Sequence, residues 1–396
     1  MKKQLLHTPE GVRDIYNEEC EKKLLLQSDL LGILKGYGYH PIQTPTFEFF
    51  DIFGKEIGTT PSKELYKFFD REGNTLVLRP DMTPSIARAA AKYFMDEDMP
   101  IRLCYMGNTF INSSSYQGRL KESTQLGAEL IGDSTVDADA EILSMTVECL
   151  QKAGLKDFQL SVGHADFFQG LVEAAGISEE DEEELRELLA NKNFFGVEEF
   201  AETLNLKAEL NELFHMLGSL NVDLNDLKRA KELAASYPRI LAAIHNLEEL
   251  HKVLEVYGIQ KYISFELGII SSYQYYTGII FSGYTFGSGE PIVKGGRYDR
   301  LLTYYGKTSA SIGFAIVIDQ LMAALSRQKI NISIETNGEL IVYTKANQAK
   351  AILSAKEKRA AGTPVETILK DDTKTNEDYQ NYAKRNRIRT VTFMED

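Results

Sequence analysis

Two polar residues on one predicted strand are the first candidates for chemistry in this chain. Gln125 and Glu129 stand four positions apart among apolar residues, and because side chains alternate along a strand, both face the same side. A second polar pair, Asp81 and Thr83, follows a short apolar run. Carboxylates and an amide can accept from the N–H groups of a small ligand. Gln125 and Glu129 could equally be polar residues whose hydrogen bonds are satisfied inside a sheet.

The elements that must position these residues follow one another closely. Positions 76–78 form an apolar run typical of a buried strand, and Thr83-Pro84 predicts a helix start, with the threonine hydroxyl as its cap. Residues 101–106 alternate as in a strand, and residues 124–131 form a second extended run after a polar loop. A strand, a helix and a hairpin would therefore carry both polar pairs.

Composition indicates a globular chain of more than one domain. The 396 residues are 43% hydrophobic, which allows a large core and predicts two or three domains. No apolar run reaches the roughly 18–20 residues that cross a bilayer, and no signal peptide is indicated. The three cysteines form neither a metal spacing nor a disulfide framework, so we expect a cytoplasmic protein. The net charge of −14 gives no sign of nucleic-acid binding.

Helical periodicity predicts further helices on both sides of the central stretch. One spans 18–35, with Leu24 among its inward-facing residues, and another spans 137–154. From residue 178 an acidic run begins a helical pattern that lasts to about residue 257, and we interpret 178–257 as a helical insertion. Its histidines lack the i,i+3 or i,i+4 spacing of a helical metal site, so we predict no metal.

The last third of the chain predicts strands and then a small separate unit. Strands are predicted over 265–287, and residues 311–325 predict a strand that enters a helix. After a linker at 331–338, strands and helices alternate from 339 to 396. Such alternation is typical of a small parallel α/β unit.

Motifs within these elements resemble class II aminoacyl-tRNA synthetases, and among them the histidyl-tRNA synthetase branch. LRPDMT at 78–83, a Gln-Gly-Arg loop and the Gln125–Glu129 strand occur in the family's order, and YYTG at 275–278 and GGRYD at 295–299 match further signatures. The resemblance covers roughly residues 8–325. It implies an α+β fold, with an antiparallel sheet flanked by helices over 1–325, the insertion, and a truncated anticodon-binding-like domain over 339–396. It also implies that GGRYD forms a turn.

A further segment, YHPIQTPTFEFFDIF, resembles motif 1 of the same class. We predict that Phe47, Phe49 and Phe50 supply aromatic packing there. In the family this motif builds the dimer interface, so the resemblance implies self-association as a dimer.

The resemblance also implies that an amino-acid pocket is largely kept. Residue-by-residue matching gives a set that would bind L-histidine, namely Asp81, Thr83, Gln125, Glu129, Tyr275 and Tyr276. Its carboxylates would accept from the α-amino group and the imidazole N–H, while the tyrosines pack on the ring. Asp81 is one methylene shorter than the family's glutamate at that position.

Three arginines with which the family stabilises the adenylate phosphates are replaced. Ile111 stands at the motif 2 position, Ser271 in the histidine signature and Gln320 in motif 3, whereas Arg119 and Arg297 remain at other family positions. Losing one such electrostatic donor typically costs ~10²–10³ in rate. We therefore predict that adenylation is lost, with no catalytic residues and no cofactor.

A synthetase-like core with a kept amino-acid pocket, lost ATP arginines and a shortened RNA domain resembles one paralogous family, the regulatory subunits of ATP phosphoribosyltransferase. That resemblance implies a non-catalytic partner of the short-form catalytic subunit in the first step of histidine biosynthesis. A hetero-octamer, feedback by L-histidine, and no binding of nucleic acid or membrane are expected. Two alternatives stay open, an active histidyl-tRNA synthetase and a free-standing class II paralogue acting on another amino acid.

Overall fold

The structure, a computed structural model, describes residues 6–54, 60–113, 120–270 and 275–395. The chain divides into two units, one ending at Ile332 and the other beginning at Ser333. Within the described ranges, no helix is both long and apolar enough to cross a membrane.

Strands and helices are numbered here in chain order. The strands are β1 His40–Pro41, β2 Phe47–Phe49, β3 Lys67–Phe69, β4 Thr75–Leu78, β5 Ile101–Phe110, β6 Glu122–Ile131, β7 Phe158–His164, β8 Ile263–Phe265, β9 Ile279–Thr285, β10 Val293–Arg297, β11 Ser311–Val317, β12 Asn337–Tyr343, β13 Val365–Leu369 and β14 Ile388–Met394. The helices are α1 Asn17–Gly36, α2 Thr83–Tyr93, α3 Val136–Lys152, α4 Ala165–Ala175, α5 Glu179–Ala190, α6 Phe194–Thr203, α7 Ala208–His215, α8 Leu224–Leu233, α9 Pro238–Tyr257, α10 Ile318–Arg327, α11 Gln348–Ala360 and α12 Asn376–Arg385.

The large unit is built on one sheet. Its strand order among the described residues is β1-β5-β6-β11-β10-β9-β7-β8. The inner pairs are antiparallel, as predicted, whereas the edge pairs β1–β5 and β7–β8 are parallel. The α+β fold class predicted from the sequence is confirmed.

Alternation along the central strands assigns the two faces of this sheet. On β6, Leu126, Ala128 and Leu130 join the main core, where α1, α3 and α10 pack. The intervening residues of β6 point to the opposite face, on which α2 and a second cluster lie. Gln125 and Glu129 belong to this second face, as their spacing predicted.

Helix α1 confirms the helix predicted over 18–35, but not every residue that was predicted to face inward does so. Leu26, Leu30 and Leu34 recur every four residues and are buried, whereas Leu24 is 58% exposed. Leu24 and Leu26 are two positions apart, which corresponds to a rotation of about 200° around the helix axis. Leu24 therefore lies on the far side from the stripe defined by Leu26, and its predicted inward orientation is wrong.

A small sheet, β2-β4-β3, carries the motif 1 aromatics. Along β2 only Glu48 is buried, and Arg88 of α2 donates to its Oε1 at 2.7 Å. Because side chains alternate, Phe47 and Phe49 point outward, and Phe49 is 55% exposed. Phe47 still packs edge to face on the Phe68 ring, with the ring centroids 5.7 Å apart, as predicted. The predicted packing is wrong within one chain for Phe49, whereas Phe50 is partly buried against the small core beside the sheet.

Residues 178–257 form five α-helices, α5 to α9, as predicted for the helical insertion. At the start of α8, Asp223 accepts from the Asp226 N–H at 2.9 Å and Asp226 accepts from the Asp223 N–H at 3.0 Å, a capping box. Helix α4, which precedes the insertion, was not predicted. It begins where His164 accepts from the Asp166 N–H at 3.2 Å, so this histidine caps a helix.

The small unit confirms the predicted α/β alternation. Its strands are parallel in the order β13-β12-β14. Helix α11 packs through Ala351 and Ala355, whereas α12 packs through Tyr379 and Ala383 in a different cluster. The sheet therefore lies between the two helices.

Candidate functional site

One cavity on the α2 face of the large sheet collects the predicted binding residues. The space between its lining residues measures about 420 Å³, part of which is open to solvent. All six predicted residues line it, which are Asp81, Thr83, Gln125, Glu129, Tyr275 and Tyr276. The structure brings these side chains together, while their role in binding histidine stays a prediction.

Glu129 forms the floor of the cavity and is only 1% exposed. Its Oε1 accepts from the Thr83 hydroxyl at 2.8 Å and its Oε2 from the Tyr298 hydroxyl at 2.5 Å. Burial nevertheless raises the pKa of Glu129 to about 8, and the nearby Asp81 carboxylate acts in the same direction. Burial therefore favours the neutral form of Glu129, and a cation beside it would favour the charged form.

Asp81 and Thr83 occupy the start of α2, but not in the predicted way. The helix is preceded by Met82 as N-cap, without a side-chain cap. Thr83 does not cap it, because its hydroxyl donates to Glu129 instead. The side chain of Asp81 bonds the backbone instead, accepting from the Met82 N–H at 2.8 Å. Burial raises the pKa of the Asp81 carboxyl.

Three tyrosines form one wall of the cavity. The rings of Tyr275 and Tyr276 lie 4.8 Å apart, and those of Tyr275 and Tyr298 lie 5.8 Å apart, edge to face. The Tyr275 hydroxyl donates to Asp81 at 3.4 Å. Such a wall suits a flat polar ring, since it offers both aromatic faces and hydroxyl groups.

Glycines make room for this arrangement. A Cβ on Gly313 of β11 would fall 1.7 Å from Glu129 Oε2, and one on Gly296 of β10 would fall 2.7 Å from the Tyr276 ring. Neither position could therefore carry a side chain with the cavity residues in place.

Gln125 carries an unsatisfied polar atom at the cavity. Its Oε1 is buried and has no hydrogen-bond partner among the residues that the structure describes. A buried acceptor without a donor costs about 1–3 kcal/mol. A ligand N–H at this point would remove that cost.

Two polar lining residues, Lys294 and Tyr298, were not predicted. Tyr298 is part of the GGRYD motif, and its hydroxyl reaches Glu129. The only signal in the sequence was its membership of that motif. Lys294 could have been found only by knowing which strands pair with β6.

The GGRYD segment is a strand end rather than a turn. Gly295, Gly296 and Arg297 belong to β10 and pair with β11, so the predicted turn is wrong. Arg297 points to the opposite face of the sheet from the cavity and is buried. It donates to Asp139 of α3 from Nε at 2.9 Å and from Nη2 at 2.6 Å.

Two of the predicted ATP-site replacements, Ile111 and Gln320, lie within the described residues and do not line the cavity. Ile111 follows β5, where its N–H donates to the Lys121 carbonyl at 2.9 Å, and Gln320 lies in the first turn of α10. Asp319 beside it accepts from Lys23 at 2.8 Å, so the acidic residue of that motif ties α10 to α1. Ser271 and Arg119 lie outside the described residues.

Known proteins share this fold and sequence. A family model described as histidyl-tRNA synthetase matches residues 11–321. A solved histidyl-tRNA synthetase from Nostoc covers 98% of this chain and 91% of its own with a TM-score of 0.79, and at 20% identity it shows the fold alone. The fold and the site thus define a class II chain of the histidyl-tRNA synthetase type.

More similar relatives give the particular family. The ATP phosphoribosyltransferase regulatory subunit of Acetivibrio thermocellus is 38% identical and covers 92% of this chain and 87% of its own. That of Ruminiclostridium cellulolyticum is 37% identical and covers 100% and 94%. A solved structure described as an ATP phosphoribosyltransferase regulatory subunit/histidyl-tRNA synthetase from Bacillus halodurans is 30% identical, covers 99% of both chains and has a TM-score of 0.87. The chain belongs to the ATP phosphoribosyltransferase regulatory subunit family.

Proposed function

We propose that the chain acts in the cytoplasm as a non-catalytic subunit that binds a short-form ATP phosphoribosyltransferase catalytic subunit and supports the first step of histidine biosynthesis. The names of its relatives support a catalytic partner. A hetero-octamer is the expected assembly. The uncharged residues at positions 111 and 320, where the synthetase family has arginines, support the absence of adenylation.

We further propose that L-histidine occupies the cavity and thereby inhibits the complex. The observation that carries this proposal is the unpartnered Gln125 Oε1 beside the buried carboxylates of Asp81 and Glu129. Histidine supplies an amino group and an imidazole N–H, which are the donors that such acceptors need. Inhibition would follow if histidine binds the inactive state of the complex more tightly than the active state.

The test is reconstitution with the purified catalytic subunit. We expect the chain to be required for activity, and Glu129→Ala and Gln125→Ala to weaken histidine inhibition while basal activity is kept. Glu249→Ala is the matched control, since Glu249 lies on the surface of α9 and pairs with Lys252. Histidine inhibition that is unchanged in both cavity variants would refute the binding proposal.

A pull-down from native lysate tests the partner separately. With protein and RNA both identified, we expect a short catalytic chain and no histidine tRNA. Recovery of histidine tRNA without that chain would reopen the second candidate, an active histidyl-tRNA synthetase, whose family model this chain matches over residues 11–321. Histidine-dependent exchange between ATP and pyrophosphate would establish that activity, and we expect none.

We also propose that the chain self-associates through the β2-β4-β3 sheet. Phe49 and Phe69 on this sheet are 55% and 72% exposed, a large apolar area for a monomer surface. Phe49→Ser should shift the sedimentation of the isolated chain from dimer to monomer. Phe286→Ser, at an exposed phenylalanine elsewhere in the large unit, should leave it unchanged. A Phe49 variant that remains dimeric would contradict this proposal.

A further inference from the structure

The register of three neighbouring strands arranges the cavity floor in rows. Glu129 on β6 pairs with Gly313 on β11, which pairs with Gly296 on β10. The next row on the same face runs from Gly127 through Ala315 to Lys294. Ala315 and Lys294 line the cavity, whereas the Tyr105 side chain lies above Gly127, where a Cβ would fall 2.6 Å from the Tyr105 hydroxyl oxygen.

The same row sets how far Lys294 lies from the β6 side of the cavity. Lys294 lies two strands from β6, and neighbouring strands are ~4.8 Å apart, so about 10 Å separates the two backbones. Gln125 and Glu129 occupy the β6 side, and Asp81 lies at the start of α2. A small ligand that spans the row would have acceptors at one end and an ammonium at the other.

The charged side chains of the cavity are also divided between its two ends. Among the described lining residues, Lys294 is the one basic side chain, and it is exposed at the mouth, whereas Asp81 and Glu129 are buried. Lys294 is close enough for its charge to act on the pKa of the Asp81 carboxyl, which it lowers against the larger effect of burial. A ligand with only an ammonium group would bring a second cation near Lys294, whereas an amino acid would also bring a carboxylate that Lys294 can bind.

We propose that Lys294 binds the carboxylate of the amino acid in the cavity and so makes the site selective for free amino acids over the corresponding amines. This inference rests on the proposed histidine site and names one further residue that determines its specificity. The amino group and the side-chain N–H then face Asp81, Glu129 and Gln125. The carboxylate stays at the mouth, where it can keep part of its hydration.

The experiment combines removal of the Lys294 ammonium with removal of the carboxylate from the ligand. Calorimetry on the full chain measures the affinities for L-histidine, for L-histidinol, which has an alcohol in place of the carboxylate, and for histamine, which lacks the group. The wild type should prefer L-histidine over histamine by about tenfold, as expected for one partly exposed charged hydrogen bond. Lys294→Met should remove that preference by weakening L-histidine alone, and Lys294→Arg should restore most of it.

A purely structural role gives a different result. If Lys294 only offsets the charge of Asp81, Lys294→Met will change the affinities for L-histidine and histamine by the same factor, which would overturn the proposal. Lys156→Met, at an exposed lysine before β7, is the matched control and should change neither affinity. Equal binding of histidine and histamine by the wild type would also refute the role of Lys294 while leaving the histidine site intact. Absence of binding by any of the three ligands would refute the histidine site itself.

Discussion

Replacing Glu129 with glutamine should change how the stability of the chain depends on pH. Glutamine keeps the shape of the side chain and can still bond the Thr83 and Tyr298 hydroxyls, but it cannot ionise. The pKa of Glu129 is raised by burial from 4.5 to about 8 in the folded chain. The folded state therefore holds a proton that the unfolded state releases above pH 4.5.

The sign and size of the effect follow from that difference. Between the two pKa values the folded state binds more protons, so the contribution of Glu129 to stability is fully present below pH 4.5 and is lost as pH rises towards 8. One pKa unit corresponds to about 1.4 kcal/mol. From pH 5 to pH 8, the free energy of unfolding of the wild type should fall by about 3–4 kcal/mol relative to Glu129→Gln.

Urea unfolding at a series of pH values measures this quantity. The chain has no Trp, so far-UV circular dichroism is the appropriate signal. Other titrating groups are common to both proteins and cancel in the difference. Curves for the wild type and Glu129→Gln that stay parallel from pH 5 to pH 8 would show that the folded chain does not hold Glu129 protonated, and the assignment of a buried neutral carboxyl would be refuted.

Three further substitutions test the supports of the site and the fold. Gly313→Ala should destabilise the chain by about 1–3 kcal/mol and abolish histidine binding, because the new methyl group collides with Glu129; unchanged calorimetric affinity would contradict this. Arg297→Met should lower the free energy of unfolding by about 3–5 kcal/mol, since Asp139 is left buried and unpaired; a loss below 1 kcal/mol would be inconsistent with a buried ion pair. Asp223→Ala should lower the urea midpoint slightly through loss of the α8 cap, with no effect on histidine binding.

Local patterns were enough to predict most elements and part of the cavity. The four-residue spacing of Gln125 and Glu129 on an extended run determined that they share a face, and the structure places both on the cavity side of β6. The alternation after residue 339 likewise predicted the parallel unit, because each helix there must cover one face of a short sheet. These features depend on neighbours close in sequence.

Features set by distant neighbours could not be predicted in this way. Lys294 enters the cavity because β10 pairs with β11, which pairs with β6. Thr83 fits a helix cap by residue type, but Glu129 offers its hydroxyl an acceptor in the buried cavity. Phe49 fits a core position by hydrophobicity, whereas the side-chain alternation of β2 places it outside.

The strand order of the large sheet also determines when the cavity can exist. Gln125 on β6 pairs with Val317 on β11, about 190 residues later in the chain, and the whole helical insertion lies between them. Contacts this distant in sequence form slowly, because a long loop must close before they stabilise anything. We therefore expect that, during synthesis, the cavity stays incomplete until β11 has emerged from the ribosome. In refolding, histidine binding should recover after the helical signal rather than with it.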